Sequence, residues 1–223
     1  MLTRYRPFTI VVSCVWLVAV SALVLRPVML ARSLRNDIDG LAGRSLTESQ
    51  LRVWAEKHGG DVNCHRTGCT VEVANWFLDT LHLSPPTRFL AGITIRDGRV
   101  ASSSLSLVSA QYGPQGPSGA VTRLTIAYEP PNYFREPLVR PYVGHGPVGG
   151  MPQVDFVVSA RCGAKALEMA RQINIWCLAL PGGCRSGEKQ APDVWKLPEM
   201  SSPGYDGRPG TDLLGQRPGG AVK

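Results

Sequence analysis

The chain has 223 residues, with 24 Lys and Arg against 17 Asp and Glu, a formal charge of +7 and a pI near 9.3. That length leaves room for one modest globular unit beyond the N-terminal region. The basic balance does not indicate nucleic-acid binding, because Arg4, Arg6, Arg26, Arg32 and Arg35 put five charges and no acid into the first 35 residues, leaving 19 basic against 17 acidic side chains elsewhere. Arginines beside an apolar run suit lipid headgroups, so no nucleic-acid partner is expected.

That apolar run, Phe8 to Leu25, holds 18 uncharged residues. As a helix it spans about 27 Å, enough for a bilayer core and longer than the apolar stretch of a signal peptide. Residues 1–35 are therefore expected to form a transmembrane signal anchor with basic flanks, partnered by the lipid bilayer, with 36–45 as linker. Two processing routes compete. Val20-Ser21-Ala22 has the small residue signal peptidase needs, although Leu23, Val24 and Leu25 continue the apolar run. Val11-Val12-Ser13-Cys14 has the look of a lipobox, with only a short apolar stretch before Cys14. For orientation, Arg26, Arg32 and Arg35 outnumber Arg4 and Arg6 and favour a cytoplasmic domain. The cysteines favour the other side, since Cys64, Cys69, Cys162, Cys177 and Cys184 all follow the run and two pairs have spacings suited to local disulfides. The reading adopted is a single-pass protein whose bulk is extracytoplasmic, periplasmic or on the cell surface.

Ser45-Leu46-Thr47-Glu48 has a capping-box pattern, predicting a helix with Leu51, Trp54, Ala55 and His58 on one face and a stop at Gly59-Gly60. Asp61 to Cys64 and Cys69 to Val73 flank His65-Arg66-Thr67-Gly68, a hairpin pattern in which Gly68 is expected at positive φ. Cys64 and Cys69 would face each other as a disulfide; free thiols and a metal site using His65 are the alternatives, the latter lacking a second ligand pair. Asn75 to Leu83 reads equally as a short helix or an irregular apolar segment. Phe89 to Ile95 and Arg99 to Val108 form a second hairpin about Asp97-Gly98. Leu105 and Leu107, then Leu124, Ile126 and Tyr128, alternate with polar or small residues, as in an antiparallel sheet with one wet face.

Between Glu129 and Pro152, prolines, glycines and aromatics predict a long loop, with Tyr133, Phe134, Tyr142 and His145 as candidate interaction residues. Gly144-His145-Gly146-Pro147-Val148-Gly149 matches a dinucleotide fingerprint formally, yet the strand-like Val154 to Val158 follows where a helix is required. A last helix is expected over Ala164 to Leu180, with Ala166, Ala170, Ile173, Cys177 and Leu180 inward, ended by Pro181-Gly182-Gly183. Cys162 and Cys177 at opposite ends of that helix would lie about 22 Å apart, beyond bonding range, so Cys177 pairs with Cys184 and Cys162 is the expected free thiol. From Arg185 to Lys223 the composition predicts a Pro/Gly-rich disordered tail.

Ile173 to Cys184, followed by Pro192-Asp193-Val194-Trp195, resembles a C-terminal block of uncharacterised bacterial secreted or membrane-anchored proteins with no assigned activity. The resemblance implies a bacterial envelope setting and transfers no catalytic residue. Pro7-Phe8-Thr9-Ile10-Val11-Val12 is similar to the start of type IV pilin-like proteins, where a cleaved glycine precedes Phe-Thr-Leu and a glutamate follows. Here Pro7 and Val12 stand at those two positions, and Pro27 is expected to interrupt the helix that a pilin continues past the membrane.

No catalytic constellation is legible. Ser102, Ser103 and Ser104 lack a nucleophile elbow and read as a solvated strand face. His58, His65, His82 and His145 are scattered, and Glu72, Asp79 and Asp155 read as surface charges. No cofactor or metal is expected. The sequence predicts an α+β domain over 46–184, an antiparallel sheet of four to six strands packed by two main helices. Its expected role is a non-catalytic binding or envelope-scaffold one with an unidentified ligand and an envelope protein partner. An extracytoplasmic enzyme and a pilin-like assembly subunit are the alternatives.

Overall fold

The computed structural model describes residues 6–42, 44–83, 86–113, 116–128, 140–145, 152–159, 167–168 and 171–193. The first helix, α1 (Arg6–Ile38), is a single rod of 33 residues with two kinds of surface. From Thr9 to Ala19 every side chain is exposed, and an 18-residue window of the helix has a mean hydropathy of 2.2, so the helix is long and apolar enough to cross a membrane. From Pro27 onward, Val28, Ala31, Leu34 and Ile38 recur at spacings of three and four and are all buried, the stripe of a core helix.

The helix passes through Pro27 instead of stopping there. Proline has no amide to give the Leu23 carbonyl and crowds the preceding turn. In that turn the Asn75 side-chain amide donates to the Val24 carbonyl at 3.1 Å, so the sheet domain supplies a hydrogen bond where the helix is weakest. The segment expected as a linker is also structured. A 3-10 turn, Asp39–Leu41, follows α1, and Ser45 bridges Arg99, with the Leu46 amide donating to the Gly98 carbonyl.

The next helix, α2 (Glu48–Glu56), starts two residues later than the capping pattern suggested: Thr47 accepts from the Gln50 amide and the Gln50 side chain returns to the Thr47 amide. Leu51 and Ala55 face the core, and Gly59 takes φ +65° at the stop. The strands β1 (Asp61–His65), β2 (Gly68–Ala74), β3 (Thr87–Arg96), β4 (Arg99–Gly113) and β5 (Gly116–Ala127) form an antiparallel meander. Between β2 and β3 lies the short helix α3 (Trp76–Thr80), capped by Asn75. Asp97 and Gly98 turn β3 into β4 with φ of 52° and 73°, as expected. Gly68 does not use positive φ. It is required by space, since a Cβ there would stand 2.0 Å from the Ile93 carbonyl oxygen.

This five-stranded antiparallel meander is the expected sheet of four to six strands, and two further strands extend it. β7 (Pro152–Ser159) lies parallel to β5, and β6 (Arg140–His145) pairs antiparallel with β7, giving the order β1-β2-β3-β4-β5-β7-β6 over seven strands. Part of the predicted 129–152 loop is thus a strand. Pro141 is tolerated because β6 is an edge, where a missing amide costs no central ladder bond.

One face of the sheet carries the core. Val71, Phe89, Ala91, Leu105, Leu107, Leu124 and Phe156 are buried with Leu34, Ile38, Leu51 and Leu178. The architecture is an α+β two-layer domain with helices on one face of a mostly antiparallel sheet.

The predicted helix over 164–180 does not reach its end. Residues 171–174 are irregular and Ile175–Leu178 is a 3-10 turn. The Asn174 amide donates to the Gln190 carbonyl and its side chain to the Lys189 carbonyl, so tertiary bonds replace helical ones. Ile173 and Cys177 are buried as expected, whereas Leu180 and Trp176 are exposed. The expected tail begins with structure too: α4 (Gly187–Gln190) buries Gln190, whose side-chain amide donates to the Ala120 and Cys184 carbonyls.

Candidate functional site

The two cysteine pairs expected from spacing are both bonded, Cys64 to Cys69 across the β1–β2 hairpin and Cys177 to Cys184 across the Pro-Gly-Gly turn. Cys14 is a free, exposed cysteine of α1. The expected free thiol Cys162 lies outside the described residues. Of the candidate interaction residues, Tyr133 and Phe134 also lie outside them, while Tyr142 and His145 fall on the backbone of edge strand β6.

The domain has two ends along its strands. At the end distant from the exposed part of α1, the β1–β2 and β3–β4 turns and the start of α2 surround a cleft of about 370 Å³. Leu46, Leu51 and Ile95 give it an apolar floor, and Glu48, His65 and Arg66 a polar rim. This chemistry suits an apolar side chain with a polar neighbour.

A polar cluster lies at the same end, where α1 finishes. Ser103 is buried on the core face of β4, not solvated as the serine run suggested, and its hydroxyl lies 2.7 Å from the Tyr128 hydroxyl. Arg171 Nε stands 2.9 Å from Asp39 Oδ1, close enough for an ion pair although not aligned as a hydrogen bond. Burial pushes the Asp39 carboxyl above its ordinary value, partly offset by Arg171 and Arg35. Burial likewise raises the Tyr128 phenol, with the Ser103 hydrogen bond working against it. No local motif joins Asp39, Ser103, Tyr128 and Arg171, so the sequence alone had no signal for this cluster.

At the other end, α1 meets the sheet. A groove of about 260 Å³ lies between Leu23, Arg26, Pro27 and Leu30 of the helix and Gly60, Asp61, Glu72 and Trp76 of the sheet side. Asn75 holds this junction. It is buried, and besides the Val24 carbonyl its amide donates to the Leu178 carbonyl at 2.8 Å while its oxygen accepts from the Leu78 amide.

Two of the three carboxylates considered for acid-base work are engaged, since Arg88 pairs with both Glu72, at 3.1 Å, and Asp79; the Asp155 side chain lies outside the described residues. His58 is buried between the Trp54 carbonyl, 2.8 Å from Nδ1, and Asp37 Oδ2, 2.9 Å from Nε2. Both partners are acceptors, so bonding to both at once takes a doubly protonated ring. His82 sits in an exposed turn at φ +53°. Among the described residues no three His, Cys, Asp or Glu side chains gather as a metal site.

Fold and junction together define an α+β domain built on the inner half of a long helix whose outer half is membrane-compatible. Comparison with protein-family models, with curated proteins and with solved structures finds no match to this chain.

Proposed function

We infer that this protein is a membrane-tethered extracytoplasmic domain that acts by binding, as a rigid stand for contacts in the cell envelope. The observation that carries the reading is the continuity of α1. The same helix that exposes an apolar surface from Thr9 to Ala19 enters the core through Val28, Ala31, Leu34 and Ile38. A tether through a flexible linker lets a domain tumble, whereas a shared helix holds its height and tilt above the bilayer. The disulfides support an oxidising compartment. The distal cleft around Leu46, Leu51 and Ile95 is then presented away from the membrane, where an envelope protein can reach it.

Thiol labelling of intact cells and lysates, with and without reductant, tests this placement. Cys64, Cys69, Cys177 and Cys184 should label only after reduction, and the protein should resist carbonate extraction from membranes. Four freely reactive thiols, or release by carbonate, would sink the reading.

A second reading, a pilin-like assembly subunit, is favoured by the passage of α1 through Pro27 to Ile38. It requires an N-terminus cut before Phe8 and assemblies recoverable by shearing. N-terminal sequencing that finds the segment before Phe8 intact removes it.

A further inference from the structure

We propose that the end of the domain beside α1 is a lipid-facing foot, seated in the headgroup and glycerol region of the leaflet from which α1 emerges. The inference rests on the membrane-anchor reading and extends it to a surface of the globular domain. Trp76, Leu81 and Leu83 follow β2, Trp176 lies in the 3-10 turn and Leu180 just after it; all five are large apolar side chains between 45% and 57% exposed. Three hydrogen bonds bring these distant segments together beside the helix. Asn75, directly before Trp76, donates to the carbonyls of Val24 and Leu178, and the Gly182 amide donates to the Leu83 carbonyl at 3.2 Å.

The level of that junction along α1 chooses the occupant. The uncharged run from Phe8 spans about 27 Å as a helix, close to the thickness of a hydrocarbon core, and ends at Leu25, before Arg26. Val24 therefore lies at the hydrocarbon boundary, and the segments bonded around it lie at the same depth. Tryptophan is the residue that prefers this layer, its ring apolar and its indole N–H wet. Arg26, exposed two residues beyond Val24, suits lipid phosphates. Trp76 lines one groove with Leu23, Pro27 and Leu30 of α1, so a bilayer that takes up the exposed part of the helix meets this surface next.

The test uses the full chain in phosphatidylethanolamine and phosphatidylglycerol vesicles, with single-tryptophan variants made by changing four of the five tryptophans to phenylalanine. Quenching is read with lipids brominated near the glycerol or deep in the acyl chain, and with aqueous iodide. Trp16 should be quenched by the deep bromines. Trp76 and Trp176 should be quenched best by the shallow ones, with iodide quenching no greater than that of Trp54, although Trp54 is the least exposed of the three in the fold. Trp16 quenched in lipid with Trp76 and Trp176 open to iodide overturns the foot and leaves the anchor standing. A Trp16 that no lipid quenches overturns the anchor itself. Iodide protection of Trp76 that depends on protein concentration and not on lipid bromination assigns the surface to a second copy and also overturns the proposal. As a check independent of the multiple replacements, Trp76→Ser and Trp176→Ser in the otherwise natural chain, with both disulfides verified by mass, should each lower the shallow-bromine quenching of the whole protein.

Discussion

Asn75→Ala should destabilise the protein by about 3 kcal/mol. The side chain is 2% exposed and makes three bonds: its oxygen caps α3 through the Leu78 amide, and its amide reaches the Val24 carbonyl of α1 and the Leu178 carbonyl of the 3-10 turn. Loss of a cap costs about 1 kcal/mol, and each buried hydrogen bond contributes about 1 kcal/mol net. For a domain of this size, about 3 kcal/mol corresponds to a fall of about 6–12 °C in Tm. The assay is thermal and urea unfolding of the full chain in detergent micelles, followed by near-ultraviolet circular dichroism. Asn75→Asp separates the contributions. It keeps the oxygen that caps α3, loses both donor bonds and aims a carboxylate at two carbonyls, so its loss should be no smaller than that of Asn75→Ala. An Asn75→Asp protein as stable as the wild type would refute the claim that this residue fastens the domain to α1.

Gly68→Ala should cost several kcal/mol or prevent folding, because its Cβ would meet the Ile93 backbone oxygen, whereas Gly98→Ala, at φ +73° in open space, should cost about 1 kcal/mol. Comparison of urea midpoints checks the order, and equal losses would refute the steric reading of Gly68. Replacing Cys177 and Cys184 by serine opens a short loop and should cost about 2.5 kcal/mol, measured under non-reducing conditions; no change in the unfolding midpoint counts against a structural role for this bond. Asp39 supplies a pH test. Burial raises its folded-state carboxyl above the ordinary 3.8 despite Arg171 and Arg35. The folded protein thus holds that proton more tightly than the unfolded chain, and the resulting stability is fully present below about 3.8 and lost as pH rises through the raised value. The stability of wild type minus Asp39→Asn should therefore fall with pH across that window, and a flat difference is the refuting result.

Much of the fold was legible locally. Asp97-Gly98 encodes a tight turn because its positive φ values are cheap for that pair, and the period-two pattern of Leu105, Leu107, Leu124 and Ile126 encodes a half-buried sheet. The cysteine pairs were legible because each closes a short loop. Gly68 was recognised as a turn residue for the wrong reason, since what it meets is the Ile93 carbonyl of a third strand. β6 was read as loop because Pro141 and the surrounding glycines oppose strand formation everywhere except at an edge. The helix expected to end at Leu180 fails because Asn174 finds partners at Lys189 and Gln190, residues whose position no local pattern encodes. The Asp39, Ser103, Tyr128 and Arg171 cluster was invisible for the same reason.

The sequence by itself determined an apolar helix at one end, a disulfide-bonded domain behind it and the alternation that makes a sheet, because each depends on residues close together in the chain. Only the tertiary structure decided that the helix does not stop where the membrane-compatible stretch does. Pro27 removes the amide that would bond the Leu23 carbonyl, and Asn75, brought there by the sheet, donates to the adjacent Val24 carbonyl and ties helix to domain.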